Sequence, residues 1–406
     1  YGDKKVVVSS APGRINLMGR HIEHRGGSVN MMAVSNRFLF VAARRDDDIV
    51  NITNLDESYS SASFRISDFV DVASPQTGEI ENSAKWGDFL SSAKAKNDIL
   101  QNKGHWVNYV KSAVLRLQMA TDMPLYGMDV IAAGDIPVAA GLSSSSAVVV
   151  AAADAVVALN ALNIPVRDFV DLCGEGEWYV GSRGGAGDHA AMKCSRKGFV
   201  THLKFKPFEI AERYPFFKNC SVVVVNSGEK AKKSEGALKV FNDRISSYER
   251  AFAQVRKTYP EMPVGCFRDI AFLPAEDRAK ALAAVEPSDR GVALFGVNEC
   301  RRAEDCLAIL KENDPVAMGE MMKDSHNGDR LGYGQYECST VLIDSICDGL
   351  NSMEGVFGSQ IVGAGLGGRV IALVENRVAL PIVERFRAKG FESFVCESGD
   401  GSSIAY

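Results

Sequence analysis

Apolar and polar positions along the chain keep changing rhythm, and each rhythm predicts an element. The run Val6-Val7-Val8 predicts a short strand, and the denser alternation from Val29 to Ala43 predicts one or two more. Trp106, Tyr109, Val110, Val114 and Leu117 fall on one face of a helix spanning Trp106 to Ala120. Tyr126 to Ala133 reads as a strand, and 144–162 and 166–180 read as helices. In the second half, Cys220 to Val225 has the continuous apolar character of a buried strand. Helices are expected over 234–257, 289–312, 316–326, 336–349 and 378–389. Strands are expected over 359–362, 369–374 and 392–396. Residues 46–84 are polar and irregular, and Ala11 to Gly27 is so dense in Gly, Pro, Arg and His that it predicts a loop. Interleaved helices and strands without an internal repeat give an α+β class with two lobes, divided as 1–205 and 206–406, with the break near Phe205 to Lys218.

Composition narrows the function classes. The 406 residues carry 46 Lys+Arg against 51 Asp+Glu, a net charge of -5. That balance argues against a nucleic-acid or membrane-surface binder, while leaving room for a local basic pocket. Nine cysteines occur with no CxxC and no repeating spacing, so free thiols in a reducing, cytoplasmic compartment are expected, not a disulfide framework or a zinc motif. The richest apolar stretch, Ala147 to Leu159, is too short to cross a membrane and is interrupted by Asp154. The chain opens on Tyr1 in place of Met, which leaves a removed targeting segment open.

Three glycine-rich segments carry the candidate chemistry. In the first, Ala11 to Gly27, Arg14, Arg20, His21, Glu23, His24 and Arg25 crowd together, a set suited to hydroxyl and anion recognition. In the second, Gly134 to Ala147, a strand runs into Gly141-Leu142-Ser143-Ser144-Ser145-Ser146 and then directly into a helix. Free backbone N–H groups and the helix dipole would converge there on an anion, with serine hydroxyls as further donors or a magnesium ligand. Four serines exceed what an N-cap needs, and the Gly-Lys-Ser/Thr ending of a Walker A loop is absent. The third segment, Gly363-Ala-Gly-Leu-Gly-Gly368, formally matches GxGxxG, but a strand-like run follows where a dinucleotide site needs a helix. A strand–loop–strand hairpin fits it better.

Taken in order, the three segments resemble the motifs of the GHMP small-molecule kinases, most closely the galactokinase branch. Trp106-Val-Asn-Tyr-Val-Lys111, Gly181 to Asp188, Ser325-His326, Tyr336-Glu-Cys338 and Gly399-Asp-Gly401 are also galactokinase-like. The resemblance implies two α+β lobes with ATP and a sugar in the cleft between them, and phosphorylation of the sugar at its anomeric hydroxyl. It implies that Arg14 lies beside the transferred phosphoryl group and that Asp188 faces the attacking hydroxyl. Gly141 to Ser146 would wrap the ATP phosphates, and Trp106 would lie near the base. Ser144 or Ser145 would hold Mg2+ together with Glu175 or Glu177, with Ser145 and Glu177 preferred. His21, Glu23, His24 and Gly187 would meet the sugar, Lys230 to Lys233 would lie near the cleft mouth, and a monomer is the default.

The departures concern the sugar. Where galactokinases have Glu-His-Thr-Asp-Tyr, this chain has Arg20-His-Ile-Glu-His24. An arginine in the first position suits a carboxylate, so galacturonic acid is the favoured acceptor, and the segment also resembles galacturonokinases. Pairing of Arg20 with a protein acid, which would merely shape the pocket, weighs about equally. Galactose, L-arabinose or another neutral sugar stays open as acceptor. So do a catalytically silent sugar sensor and a GHMP kinase of an isoprenoid or amino acid.

Overall fold

The computed structural model describes residues 5–70, 83–137, 141–229 and 235–406. The Lys230–Lys233 cluster and part of the lead-in to the serine loop lie outside the described residues. In chain order the strands are β1 (Val6–Met18), β2 (Val29–Arg44), β3 (Ile49–Asn54), β4 (Ala62–Arg65), β5 (Met128–Gly134), β6 (Phe199–Lys204), β7 (Glu209–Pro215), β8 (Cys220–Asn226), β9 (Val356–Val362), β10 (Arg369–Glu375), β11 (Ser393–Cys396) and β12 (Ser403–Ala405). The helices are α1 (Ser83–Ser91), α2 (Ala93–Gln101), α3 (Val107–Met119), α4 (Ser144–Leu159), α5 (Val166–Gly176), α6 (Gly187–Cys194), α7 (Glu235–Thr258), α8 (Ala275–Ala283), α9 (Pro287–Glu312), α10 (Pro315–Asp329), α11 (Val341–Asn351) and α12 (Asn376–Ala388).

Two sheets organise the molecule. The first runs β12-β1-β2-β5-β3-β4, with β6 and β7 branching from β2, and the second runs β11-β8-β10-β9. The first sheet therefore draws on residues from both sides of position 205, since β7 pairs with β6 and β12 returns to pair with β1. In β8 the alternation is legible: Val222 and Val224 join the large core shared with the first sheet, while Val223 and Val225 face Ile343, Ile346, Ile382 and Phe386 of α11 and α12.

Only the second half of Ala11 to Gly27, after Met18, is the loop its composition predicts. β1 continues to Met18, and every residue from Ser9 to Met18 is buried. A strand covered on both faces loses alternation, and Pro12-Gly13 hides it further. The strand absorbs them at an irregularity between Pro12 and Arg14, where its register against β2 shifts. The expected helix from Tyr336 starts only at Val341, because Thr340 caps it by accepting from the Ile343 N–H. Tyr336 to Ser339 are instead tied to the end of α10. Among the described residues no helix is long and apolar enough to cross a membrane.

Candidate active site

The three glycine segments meet. Arg14 N–H donates to the Leu142 carbonyl at 3.1 Å, across the face of Gly13. Gly141 has φ +66°, and a Cβ there would lie 2.9 Å from Val362 Cγ1 and 3.0 Å from its carbonyl oxygen. Gly141 is thus needed both for its backbone conformation and for the close approach of the end of β9. The third segment is the connection between antiparallel β9 and β10, a hairpin as expected.

At this junction Arg14 and Asp188 form a two-pronged ion pair. Arg14 Nε donates to Asp188 Oδ1 at 2.6 Å and Nη2 to Oδ2 at 2.5 Å, while Nη1 donates to the Gly141 carbonyl at 2.6 Å. Ser143 Oγ also donates to Asp188 Oδ2, at 2.5 Å. Burial alone would raise the Asp188 pKa, but the Arg14 charge and the donors from Arg14 and Ser143 outweigh it and hold Asp188 below its ordinary value. Asp188 is therefore ionised at neutral pH, on the first turn of α6.

The serine helix begins without a side-chain cap. Ser143, at its N-cap with φ +54°, gives its hydroxyl to Asp188 instead. The first-turn N–H groups of α4 thus lack the usual serine partner and are suited to an anion. Ser144 and Ser145 are half-buried. Ser146 Oγ donates to Glu177 Oε1 at 2.7 Å, and His189 Nε2 lies 3.5 Å from the same oxygen. Burial would raise the Glu177 pKa, but His189 and Ser146 lower it further than burial raises it. Glu175 faces elsewhere: its carboxylate accepts from Arg116 Nε and Nη2 at 3.0 and 2.8 Å. Trp106 lies at the start of α3, its Nε1 donating to the Ser60 carbonyl and its ring near Tyr59 and Phe38.

Glu23 sits in a 3-10 turn, Glu23–Arg25, facing the glycines that lead into Asp188. A Cβ on Gly185 would be 2.8 Å from Glu23 Cγ, and one on Gly187 would be 3.0 Å from it. The glycines therefore let Glu23 approach Asp188 closely. Burial would raise the Glu23 pKa, and His24, whose Nδ1 lies 3.8 Å from Glu23 Oε1, more than offsets it. His24 lies edge-on to Tyr248, with ring centroids 5.6 Å apart. His21 has φ +63° and stacks on Tyr336, with ring centroids 4.3 Å apart.

Arg20 is 2% exposed and its fork is engaged by the protein. Nη2 donates to Asp329 Oδ2 at 2.6 Å and to Ser325 Oγ at 2.7 Å, and Nη1 donates to the Ile361 carbonyl at 2.7 Å. Glu299, fully buried on α9, closes the network by accepting from the N–H groups of Gly19 and Arg20, from Ser325 Oγ and from Arg302. Sequence reasoning missed Glu299 and Asp329. A signal existed for Glu299: it interrupts the buried α9 stripe of Phe295, Ala303 and Cys306, and a charge on an apolar helix face asks for a partner. Asp329 lies between the two family-like stretches around Ser325 and Tyr336, which marked the region without the residue.

This network predicts an acid limb of stability. Burial would raise the Glu299 pKa, but Arg302 and Arg20 bring it down to about 2. Its contribution, on the order of 3 kcal/mol, is fully present above its unfolded value and lost as pH falls toward 2. His21 acts in the same direction at higher pH, because burial lowers its pKa to about 4 and the fold favours the neutral ring. Glu299→Gln is expected to flatten the fall of the thermal midpoint between pH 4.5 and 2. An unchanged slope there would remove Glu299 from the account.

An anion-ready helix start with an arginine–aspartate pair across it, carried between one mixed and one antiparallel sheet, suits phosphoryl transfer to a small molecule. Residues 108–196 match the GHMP kinases N terminal domain, and residues 1–44 match the galactokinase galactose-binding signature, so the chain is similar to the GHMP kinases on their galactokinase side. It is 26% identical over its full length to a galactokinase of Chloroflexus aggregans, covering 95% of that protein. It is 28% identical to a galactokinase of Roseiflexus sp., covering 99% of this chain and 93% of the relative. In fold it is similar to Lactococcus lactis galactokinase complexed with galactose, with a TM-score of 0.80 at 21% identity, covering 99% of this chain and 96% of the other. Methanococcus jannaschii mevalonate kinase follows with a TM-score of 0.61 at 17% identity, covering 98% and 99%.

Proposed function

We propose that the chain is a sugar 1-kinase that transfers the terminal phosphoryl group of ATP to the anomeric hydroxyl of a galactose-like monosaccharide, acting as a monomer in a reducing compartment. The observation that carries this reading is the Arg14–Asp188 pair set against an uncapped serine helix start. Asp188, held low and hydrogen-bonded on both oxygens, is a weak base. A weak base suffices for a loose phosphoryl transfer, in which the hydroxyl proton leaves late and positioning does most of the work. Arg14 lies against both Asp188 and Gly141 and would carry its permanent charge to the equatorial oxygens of the transferring group.

Glu177 and Ser145 are the residues we assign to magnesium. The oxygen-only donor set and the ionised Glu177 beside the serine loop suit a hard cation. When bound, magnesium would offset the charge of the phosphates. Glu175, engaged by Arg116, is set aside. Trp106 is assigned to the base side, Glu23, His24 and Gly187 to the sugar hydroxyls, and His21, stacked on Tyr336 and turned to Cys338, to the wall behind them.

On the sugar itself, the pairing of Arg20 with Asp329 supports a pocket-shaping role over carboxylate reading. A neutral galactose-like sugar is therefore placed ahead of galacturonic acid. The test is ADP release from Mg-ATP with galactose, galacturonate, L-arabinose, mevalonate and homoserine, with Asp188→Ala as blank. Sugar-dependent turnover lost in the blank supports the kinase. Turnover confined to galacturonate would return Arg20 to the substrate. Sugar and ATP binding without turnover would make the chain a sensor, and turnover on mevalonate or homoserine alone would move it to another GHMP branch.

A further inference from the structure

Three side chains that no spacing rule joins come together behind the sugar-side turn. His21 follows β1, Asp329 ends α10 and Cys338 precedes α11, and all three are buried with their ligating atoms within 4.8 Å of one another. Cys338 Sγ lies 3.8 Å from His21 Nε2 and 3.3 Å from Asp329 Oδ1. Zinc bonds of ordinary length in a tetrahedron place donor atoms about 3.5 Å apart. We propose that His21, Asp329 and Cys338 bind one divalent ion of the zinc class, with the fourth position left for a solvent molecule.

The surroundings build this site. Asp329 has one oxygen turned to Cys338 and the other held by Arg20 Nη2 at 2.6 Å, the outer-shell arrangement that orients a ligating carboxylate. The stacking of His21 on Tyr336 fixes the ring plane, and its φ of +63° is a conformation that only surrounding structure sustains in a non-glycine residue. Asp329 and Cys338 are held at their separation by backbone bonds, with Tyr336 N–H donating to the Gly328 carbonyl and Ser339 N–H to the Asp329 carbonyl, at 2.9 and 2.8 Å. Gly365 of the third glycine segment lies directly over the thiol: a Cβ there would be 2.7 Å from Cys338 Sγ. One thiol, one imidazole and one carboxylate is a donor set for zinc or cobalt, not for magnesium. On binding, the Cys338 S–H bond breaks, its proton passes to solvent, and the sulfur lone pair forms the bond to the metal.

The test is titration of the purified full chain with Co2+, followed by visible and near-ultraviolet absorption. It needs no turnover, so it stands apart from the kinase reading. One equivalent is expected to give tetrahedral ligand-field bands and a thiolate-to-cobalt charge-transfer band, displaced by Zn2+. Zn2+ is also expected to raise the thermal midpoint, since it binds only the folded arrangement. Cys338→Ser and Cys338→Ala, both compared by thermal midpoint without metal, are expected to lose the charge-transfer band. His21→Ala is expected to weaken Co2+ binding by at least the roughly 10–100-fold that a lost outer-shell partner costs. Absence of the band in the unaltered chain, or its persistence in both Cys338 variants, overturns the proposal.

Discussion

Asp188→Asn is expected to lower kcat by roughly 10²–10⁴-fold, the usual loss for a positioned acid–base group, while the KM for ATP changes only a few-fold. The substitution keeps the shape of the side chain and removes its charge. Arg14 Nε and Nη2 both point at the carboxylate, and Ser143 adds a third donor. An amide can accept at only one of its two ends, so one of the converging donors loses its partner and Arg14 can shift off the line of transfer. The start of α4, which we assign to ATP, is built from backbone and keeps its N–H groups. Steady-state kinetics with each substrate varied in turn would check this. A kcat within tenfold of the unaltered chain would mean that Asp188 neither accepts the proton nor orients the hydroxyl.

The second large effect falls on stability. Arg20→Met is expected to cost about 3–5 kcal/mol, because it leaves Asp329 a buried charge without its cation. Its thermal midpoint is expected to fall by on the order of 4–6 °C. The double variant Arg20→Met, Asp329→Leu removes both charges and is expected to regain most of that loss, since a buried ion pair and a well-packed apolar pair are often close in free energy. Calorimetry of the two singles and the double forms a cycle whose coupling term reads the pair directly. Additive losses would show that Arg20 and Asp329 do not depend on each other. The same variants separate the two roles of Arg20: a pocket-shaping arginine alters use of every sugar alike, whereas one that reads a carboxylate alters galacturonate alone.

Much of this was legible along the chain, for physical reasons that differ by region. β8 and the helices α3, α4 and α9 carry strong periodicity or unbroken apolar runs, and their ends moved by only a few residues. The serine loop and its helix were legible because glycine and small hydroxyl residues leading straight into an apolar run mark a helix start. β1 was partly hidden, since a strand covered on both faces does not alternate and its Pro-Gly irregularity resembles a turn. The Arg20–Asp329–Glu299 network was illegible because Arg20 lies 279 positions from Glu299 and 309 from Asp329. The choice between Glu175 and Glu177 was open for a local reason. Glu175 lies in the last turn of α5 and Glu177 begins the 3-10 turn that follows, so a step of two positions reverses which neighbour each carboxylate meets.

The last strand, β12, carries a consequence for how the molecule is made. It pairs with β1, and just before it Gly401 N–H donates to the Ser195 carbonyl while Arg37 grips the Asp400 and Gly401 carbonyls. A ribosome delivers β1 nearly four hundred residues before the strand that covers its flank. Throughout synthesis that flank offers unpaired N–H and C=O groups to any neighbouring chain. Chaperone dependence and misassembly in this protein should therefore depend on the arrival of β12, far from the chemistry in sequence yet seated on the strand that carries Arg14.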